Sequence, residues 1–250
     1  MQIDLNADMG ESFGAWTMGQ DADLLALVTS ANIACGFHAG DPLVMERTVA
    51  AARRHGVAVG AHPGYPDLPG FGRRTLDMTA AELEAAVVYQ VAALAGFARA
   101  AGTPLVHVKP HGALYNRAAI DPAVAEPIAS AVKRCSQELI LVGLAGSLLL
   151  EAGRAAGLRV AAEAFADRAY EPDGTLRSRR LSGAMLPDPA AAAAQAVAIA
   201  GGSPRAHDGT LISLQADTLC IHGDTPGAVG YARAVREALQ AQGVLLRALG

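Results

Sequence analysis

Lysine is nearly missing from this chain. Of 20 basic residues only Lys109 and Lys133 are lysine; the rest are arginine. Aromatic residues make up 4% and charged residues 18% of the 250. There is no long basic run and the formal net charge is −4, which argues against nucleic acid as the main partner. The three scattered cysteines, Cys35, Cys135 and Cys220, have neither disulfide-scaffold nor metal-ligand spacing. They read as reduced thiols of a cytoplasmic protein. The most apolar stretch, Ala85 to Ala98, is interrupted by Tyr89, Gln90 and Gly96. It is too short to span a bilayer, so no membrane partner is expected. The opening MQIDLNADMGE carries acids and no apolar core, so no secretory signal is expected there. Strings that announce chemistry on their own are also missing: no GxGxxG follows the first strand, and there is no P-loop, HExxH or GxSxG.

What is present is apolar and regularly punctuated. Hydrophobic residues are 52% of the chain, enough to bury a core without disulfide or metal. No linker, low-complexity tract or short repeat appears, so one domain over 1–250 is expected. Strands are predicted near 2–7, 30–35, 57–62, 105–110, 139–143, 158–163 and 217–222, with a weak eighth near 244–248. Asp41-Pro42, Asp121-Pro122 and Asp188-Pro189 each supply a helix N-cap followed by proline. Thr79 with Glu82 spells a capping box, and Gly56, Gly102 and Gly157 sit where helices should stop. Strands alternating with helices predict a parallel sheet with helical crossovers. Seven strands suit a closed barrel; a doubly wound open sheet is the second choice. The long loops 63–78 and 164–188 follow strands, where α/β barrels build their sites. Asp208-Gly209 predicts a small hairpin within 201–215.

Side chains alternate along a strand. Asp4, Asn6 and Asp8 share one face of the first strand. His107 and Lys109 share one face of the fourth, with Val106 and Val108 opposite. Arg159 and Glu163 share a face of the sixth; Thr218, Cys220 and His222 share one of the seventh. Asn32 and His62 end the second and third strands in the same way. The apolar faces should pack on helices, which turns the polar sets into the lumen. Buried there, they must pair with each other, with water or with a ligand. Each residue alone could be a structural polar group; the shared parity predicts one pocket at the carboxyl ends of the strands. Lysine at 109 gives a compact charge, or a base when desolvated, and suits a carboxylate or phosphate. The plainer alternative is a buried ion pair with Asp8 or Glu163. Pro110 ends the strand, which lets His111 face a ligand.

Other stretches carry chemistry. In NIACGFHAGDP (32–42), His38 and Asp41 precede a helix N-terminus, which favours anions, although Asp41 is most simply the N-cap. AHPGYPDLPGFGRR (61–74) holds His62, Tyr65, Asp67, Arg73 and Arg74 and reads as a phosphate-gripping loop. EAFADRAYEPDGTLRSRR (163–180) contributes Glu163, Asp167, Arg168, Arg177, Arg179 and Arg180, either a phosphate contact or a solvated face. IHGD (221–224) ends the seventh strand with His222 and Asp224. Asp8, His38 and His62 form one conceivable metal set, without the compact spacing that zinc hydrolases usually show.

DLNADMGES (4–12), ANIACGFHAGDP (31–42), GAHPGYPDLPGFGRR (60–74), VKPHGALYN (108–116), EAFADRAY (163–170) and CIHGD (220–224) resemble, in order, the motifs of the LamB/YcsF family. The resemblance covers nearly the whole chain. It implies a TIM-like barrel of seven parallel strands, of the glycoside hydrolase/deacetylase type. It also implies a role as the A component of a bacterial 5-oxoprolinase. That enzyme opens 5-oxo-L-proline to L-glutamate with ATP, accompanied by magnesium, together with B and C subunits. On this reading Asp8, His38, His62, Lys109 and His111 are the catalytic candidates. Asn6, Glu11, Asn32, Asp41, Arg73, Arg74, Asn116, Glu163, Asp167, Arg168 and His222 are the candidate contacts to substrate or ATP. ATP is expected to be required ahead of any transition metal. Two competitors remain: a metal-dependent amide or acetyl hydrolase acting alone, and a substrate-binding subunit without chemistry of its own.

Overall fold

In the computed structural model, which describes residues 1–178, 181–221 and 227–250, strands and helices alternate except where two helices follow one another after the fourth strand. The order is β1 (Gln2–Met9), α1 (Asp21–Leu24), β2 (Ser30–Ala34), α2 (Pro42–His55), β3 (Ala58–His62), α3 (Ala80–Ala101), β4 (Leu105–Val108) and α4 (Gly112–Ala118). It continues with α5 (Pro122–Cys135), β5 (Ile140–Leu144), α6 (Leu148–Ala155), β6 (Arg159–Phe165), α7 (Pro189–Ala200), β7 (Thr218–Ile221), α8 (Ala228–Ala241) and β8 (Leu245–Leu246). Neighbours pair in parallel from β2 through β7, and β1 pairs with both β7 and β2. Seven strands therefore close into a barrel, and the open-sheet alternative is set aside. The weak eighth strand is the short β8, which adds to the start of β1 with Leu245 opposite Gln2.

The helix boundaries follow from local chemistry. Asp41, Asp121 and Asp188 each accept backbone N–H groups at the starts of α2, α5 and α7. Thr79 and Glu82 cap α3 reciprocally. Gly56 and Gly102 end α2 and α3 in the left-handed region, with φ of 67° and 69°. Around Asp208-Gly209 an antiparallel bridge joins Arg205 to Leu211, which forms the expected small turn.

α3 is longer than the apolar stretch 85–98 suggests. It runs 22 residues and by length and composition alone could cross a membrane. Its Leu83, Val87, Val91, Leu94 and Ala98 are buried in the main core, between barrel and helices. Tyr89 on another face is 62% exposed.

The lumen has two layers. Ile140, Val142 and Ala161 pack with Val106 and Leu249 into a separate apolar cluster. Strand parity alone puts Val106 on the helix-facing side with Val108. A register shift between β3 and β4 at Val59/Gly60 inserts one residue, and Val106 joins the inner cluster instead. Arg159 departs from expectation too. It shares parity with Glu163 but starts β6, at the other end of the barrel, and is exposed.

Candidate active site

Above the apolar plug the pairing register stacks polar side chains. Asp8 lies opposite Asn32, Asn32 opposite Gly60, and Gly60 opposite His107. Glu163 lies opposite Thr218, and Asn6 opposite Cys220. Paired residues on parallel strands point the same way, so these groups converge. A Cβ on Gly60 would overlap the His107 ring, so glycine is what allows the imidazole to lie across β3.

Lys109 is the hub. Its Nζ donates to Glu163 Oε1 at 2.8 Å, Asp8 Oδ1 at 3.0 Å and Asn6 Oδ1 at 3.3 Å, and lies 3.1 Å from Cys220 Sγ. Both partners named by the ion-pair alternative are thus engaged. Burial works against the ammonium, but Asp8, Cys220 and Glu163 outweigh it and hold its pKa well above the lysine range. The Cys220 thiol is pushed well up by burial. Around this hub Asn6 Nδ2 donates to Thr218 Oγ1 at 2.6 Å and Glu163 Oε1 at 3.1 Å. Asn32 Nδ2 donates to Asn6 Oδ1 at 2.7 Å and Asp8 Oδ1 at 2.9 Å. His107 Nε2 donates to Asn32 Oδ1 at 2.7 Å, and burial holds this imidazole down to about 3.

Three histidines sit beside the hub. His62 Nδ1 lies 2.7 Å from the carbonyl oxygen of Lys109, and His111 Nε2 lies 2.9 Å from that of Phe71. A carbonyl only accepts, so each of these nitrogens carries its proton. His62 Nε2 lies 3.3 Å from Asp8 Oδ2 and 3.0 Å from His111 Nδ1. The His38 ring stacks on His111, with centroids 3.8 Å apart and planes within 3°. Burial holds both His38 and His111 well below the ordinary imidazole range. Gly64 and Gly72 close over this group: a Cβ at Gly64 would lie 2.6 Å from His38 Nδ1, and one at Gly72 2.9 Å from His111 Cδ2. Glu11 Oε1 lies 3.8 Å from His111 Nδ1.

Asp8, His62, Lys109 and His111 open into a cleft of about 600 Å³ at the barrel mouth, which Arg73, Asn116, Arg168 and Arg177 also line. Arg73 stands 4.9 Å over the Phe71 ring, and Arg168 is braced on the carbonyls of Arg177 and Ala184. Glu163 and Asp167 are buried beneath. Other expected contacts have local duties. Asp41 caps α2 and accepts from Gly14 N at 2.7 Å, and it does not line the cleft. Arg74 is paired with the buried carboxylate of Asp67, so the Arg73-Arg74 loop offers one arginine to the cleft rather than two. Arg179, Arg180, His222 and Asp224 lie outside the described residues.

Sequence reasoning misses Tyr115 and Phe165 as lining groups. Tyr115 sits four residues after His111 on α4, which places both on one helix face, and that spacing is a usable signal. Sequence reasoning also groups Asp8 with His38 and His62 as metal ligands. Folding instead brings Glu11, His38, His62 and His111 together, with ligand atoms within 4.8 Å of one another. The H-x-x-x-H spacing of His107 and His111 does not make a joint site, because His107 faces Asn32.

Fold and site together define a parallel (β/α)7 barrel with a charged, histidine-rich pocket at the carboxyl ends of its strands. Comparison with known proteins places it more closely: residues 3–250 match the LamB/YcsF family, and the chain belongs to it. The 5-oxoprolinase A subunit of Methylococcus capsulatus is 59% identical over 99% of this chain and 96% of its own length. That of Chloroflexus aggregans is 58% identical over 99% and 98%. The crystal structure of a lactam utilization protein from Thermus thermophilus superposes with a TM-score of 0.95 at 51% identity, covering 99% of this chain and 100% of that one. A polysaccharide deacetylase from Bacillus cereus, 15% identical over 100% and 92% of the two chains, shares the fold at a TM-score of 0.50.

Proposed function

We propose that this chain is the A component of a cytoplasmic ATP-dependent 5-oxoprolinase and works with B and C subunits. The observation that carries this reading is full-length identity of 53–59% to proteins named as the A component of 5-oxoprolinase. The overall change is 5-oxoproline plus ATP plus two waters to glutamate, ADP and phosphate. A five-membered lactam is a stable amide, so its carbonyl oxygen must be activated before water attacks. Phosphorylation of that oxygen by ATP, with magnesium as counter-ion, gives an imidate phosphate. Water adds to its carbon, the ring nitrogen leaves with a proton, and a second water attacks the acyl carbon of the resulting acyl phosphate, so that the C–O bond breaks and phosphate departs with the former lactam oxygen.

The residues fit these needs. Arg73, Arg168 and Arg177 set cations around the cleft for the substrate carboxylate and phosphate oxygens. Lys109 supplies a fixed positive charge at the floor, where charge develops. Asp8, His62 and His111 are, among the described residues lining the cleft, groups that can take a proton from water. Purified chain, alone and mixed with B and C subunits, should be assayed for glutamate release from 5-oxoproline with and without ATP. Release is expected only from the full mixture with ATP. ATP-independent release by the single chain would favour the stand-alone hydrolase instead.

A further inference from the structure

We infer that Glu171 and His207 are positioning residues that hold Arg177 in place for the carboxylate of the substrate. The inference rests on the reading of the cleft as the 5-oxoproline site. Arg177 lies on the hairpin that follows β6, where Tyr170 bridges Leu176 and Arg177 N donates to Ala169 O at 2.9 Å. Its guanidinium is a rigid fork of N–H donors. Nε donates to Ser182 O at 3.0 Å and Nη1 to Glu171 Oε1 at 2.9 Å. Among the described residues Nη2 meets no acceptor, and the side chain lines the cleft. Its hydrogens are left for an anion there.

Glu171 is in turn fixed from a second hairpin. His207 Nε2 faces its Oε2 at 2.8 Å and, opposite a carboxylate, carries the proton. His207 N donates to Tyr170 O at 2.8 Å, so one residue grips two successive residues of the cleft hairpin. The His207 hairpin is itself anchored: Ala206 and Ile212 are buried in the main core, and Asp208 Oδ1 accepts from Thr210 N at 2.9 Å across the turn. The Tyr170 hydroxyl accepts from Phe165 N at 2.7 Å, which ties the cleft hairpin to β6. The turn at Asp208-Gly209, to which the reaction chemistry gives no role, thus stands behind a cleft arginine. A cation fixed before the substrate arrives lowers the ordering cost of binding. It suits the carboxylate, whose charge is present from the start and does not change, better than a phosphoryl group that arrives later. Arg168 spends Nε and Nη2 on the carbonyls of Ala184 and Arg177, which braces the same hairpin, and Arg73 is exposed over the Phe71 ring. Leu176, next to Arg177, packs with Tyr115 and Phe165 and gives the lactam ring an apolar wall beside the cation.

The test measures kcat and KM for 5-oxoproline in the complex with B and C subunits, and compares variants of this chain. A carboxylate contact is the same before and during reaction, so weakening it raises KM and spares kcat; weakening a phosphate contact lowers kcat. Glu171→Gln and His207→Ala should each raise KM about fivefold with kcat held, and Arg177→Lys about tenfold or more. His207→Gln, which keeps a side-chain N–H for Glu171, should recover most of the loss. His207 and Glu171 are 34% and 27% exposed, so their variants should fold, which thermal melts check. A second readout needs no substrate. In the chain labelled with heavy-nitrogen arginine, the Arg177 Nε–H resonance is identified by its loss in Arg177→Lys. Its exchange with water should quicken about tenfold in His207→Ala. Unchanged KM in both Glu171→Gln and His207→Ala overturns the inference. So does a fall in kcat at constant KM, or unchanged Nε–H exchange in His207→Ala. A wild-type complex that releases no glutamate refutes the proposed reaction instead, and the exchange readout still decides whether His207 and Glu171 hold Arg177.

Discussion

Lys109 is held by acceptors on β1, β6 and β7 at once, and a compact ammonium suits that arrangement where a planar guanidinium does not. Lys109→Arg should therefore cut ATP-coupled glutamate formation by about a hundredfold or more. Lys133→Arg, on the exposed side of α5, should leave it unchanged. Steady-state assays of the two complexes side by side check this. His107 gives a second test, through acid stability. Its folded pKa, about 3, lies below the ordinary 6.5, so the unfolded chain takes up the proton first. The neutral buried ring contributes its full stability above about pH 6.5 and loses it as pH falls toward 3. His107→Gln should lose less stability than the wild type over that window, read from urea midpoints at several pH values. The residues of the hub were legible because β-strand parity is strict and buried polar groups are costly. Asp8 or Glu163 could be named as a partner of Lys109, but not that both engage it at once. The engagement of Arg74 by Asp67, and of Lys109 by two carboxylates, depends on distances that only the folded chain sets.

Among the elements, boundaries were the most readable part, because caps act within a few residues. Asp188 caps α7 through Ala191 N at 2.8 Å. Asp188→Ala should cost about 1 kcal/mol, seen as a lower thermal midpoint with little change in activity. The β3–β4 pair is where local reading failed. The extra residue that turns Val106 inward is a pairing event between strands about 45 residues apart, and no local pattern reports it. The same pair yields a severe test. At Gly60→Ala the new methyl overlaps the His107 ring, so β3 or the ring must move. The variant should fold poorly or lose the pocket's activity, in contrast to Gly146→Ala, where nothing stands within 4 Å of the added Cβ and only the positive φ of 78° is strained. Expression, melting temperature and turnover of the two variants separate these effects.

At the scale of the molecule, the seven-stranded parallel barrel was readable from strand count, helix caps and motif order. The two-layer lumen was not, because its apolar layer is assembled from residues of β4, β5 and β6 together with Leu249 near the end of the chain. The histidine cluster was also hidden, since Glu11, His38, His62 and His111 come from four separate loops and strand ends. The claim that matters most is that the lactam oxygen is activated by ATP in an enzyme built on this pocket. The direct measurement places a heavy-oxygen label in the carbonyl of 5-oxoproline and follows it through turnover by the chain with its B and C partners. One labelled oxygen in phosphate for each glutamate formed is the expected result, with formation of both products suppressed when Lys109→Arg replaces the wild-type chain. Label retained wholly in glutamate, with unlabelled phosphate, would contradict it.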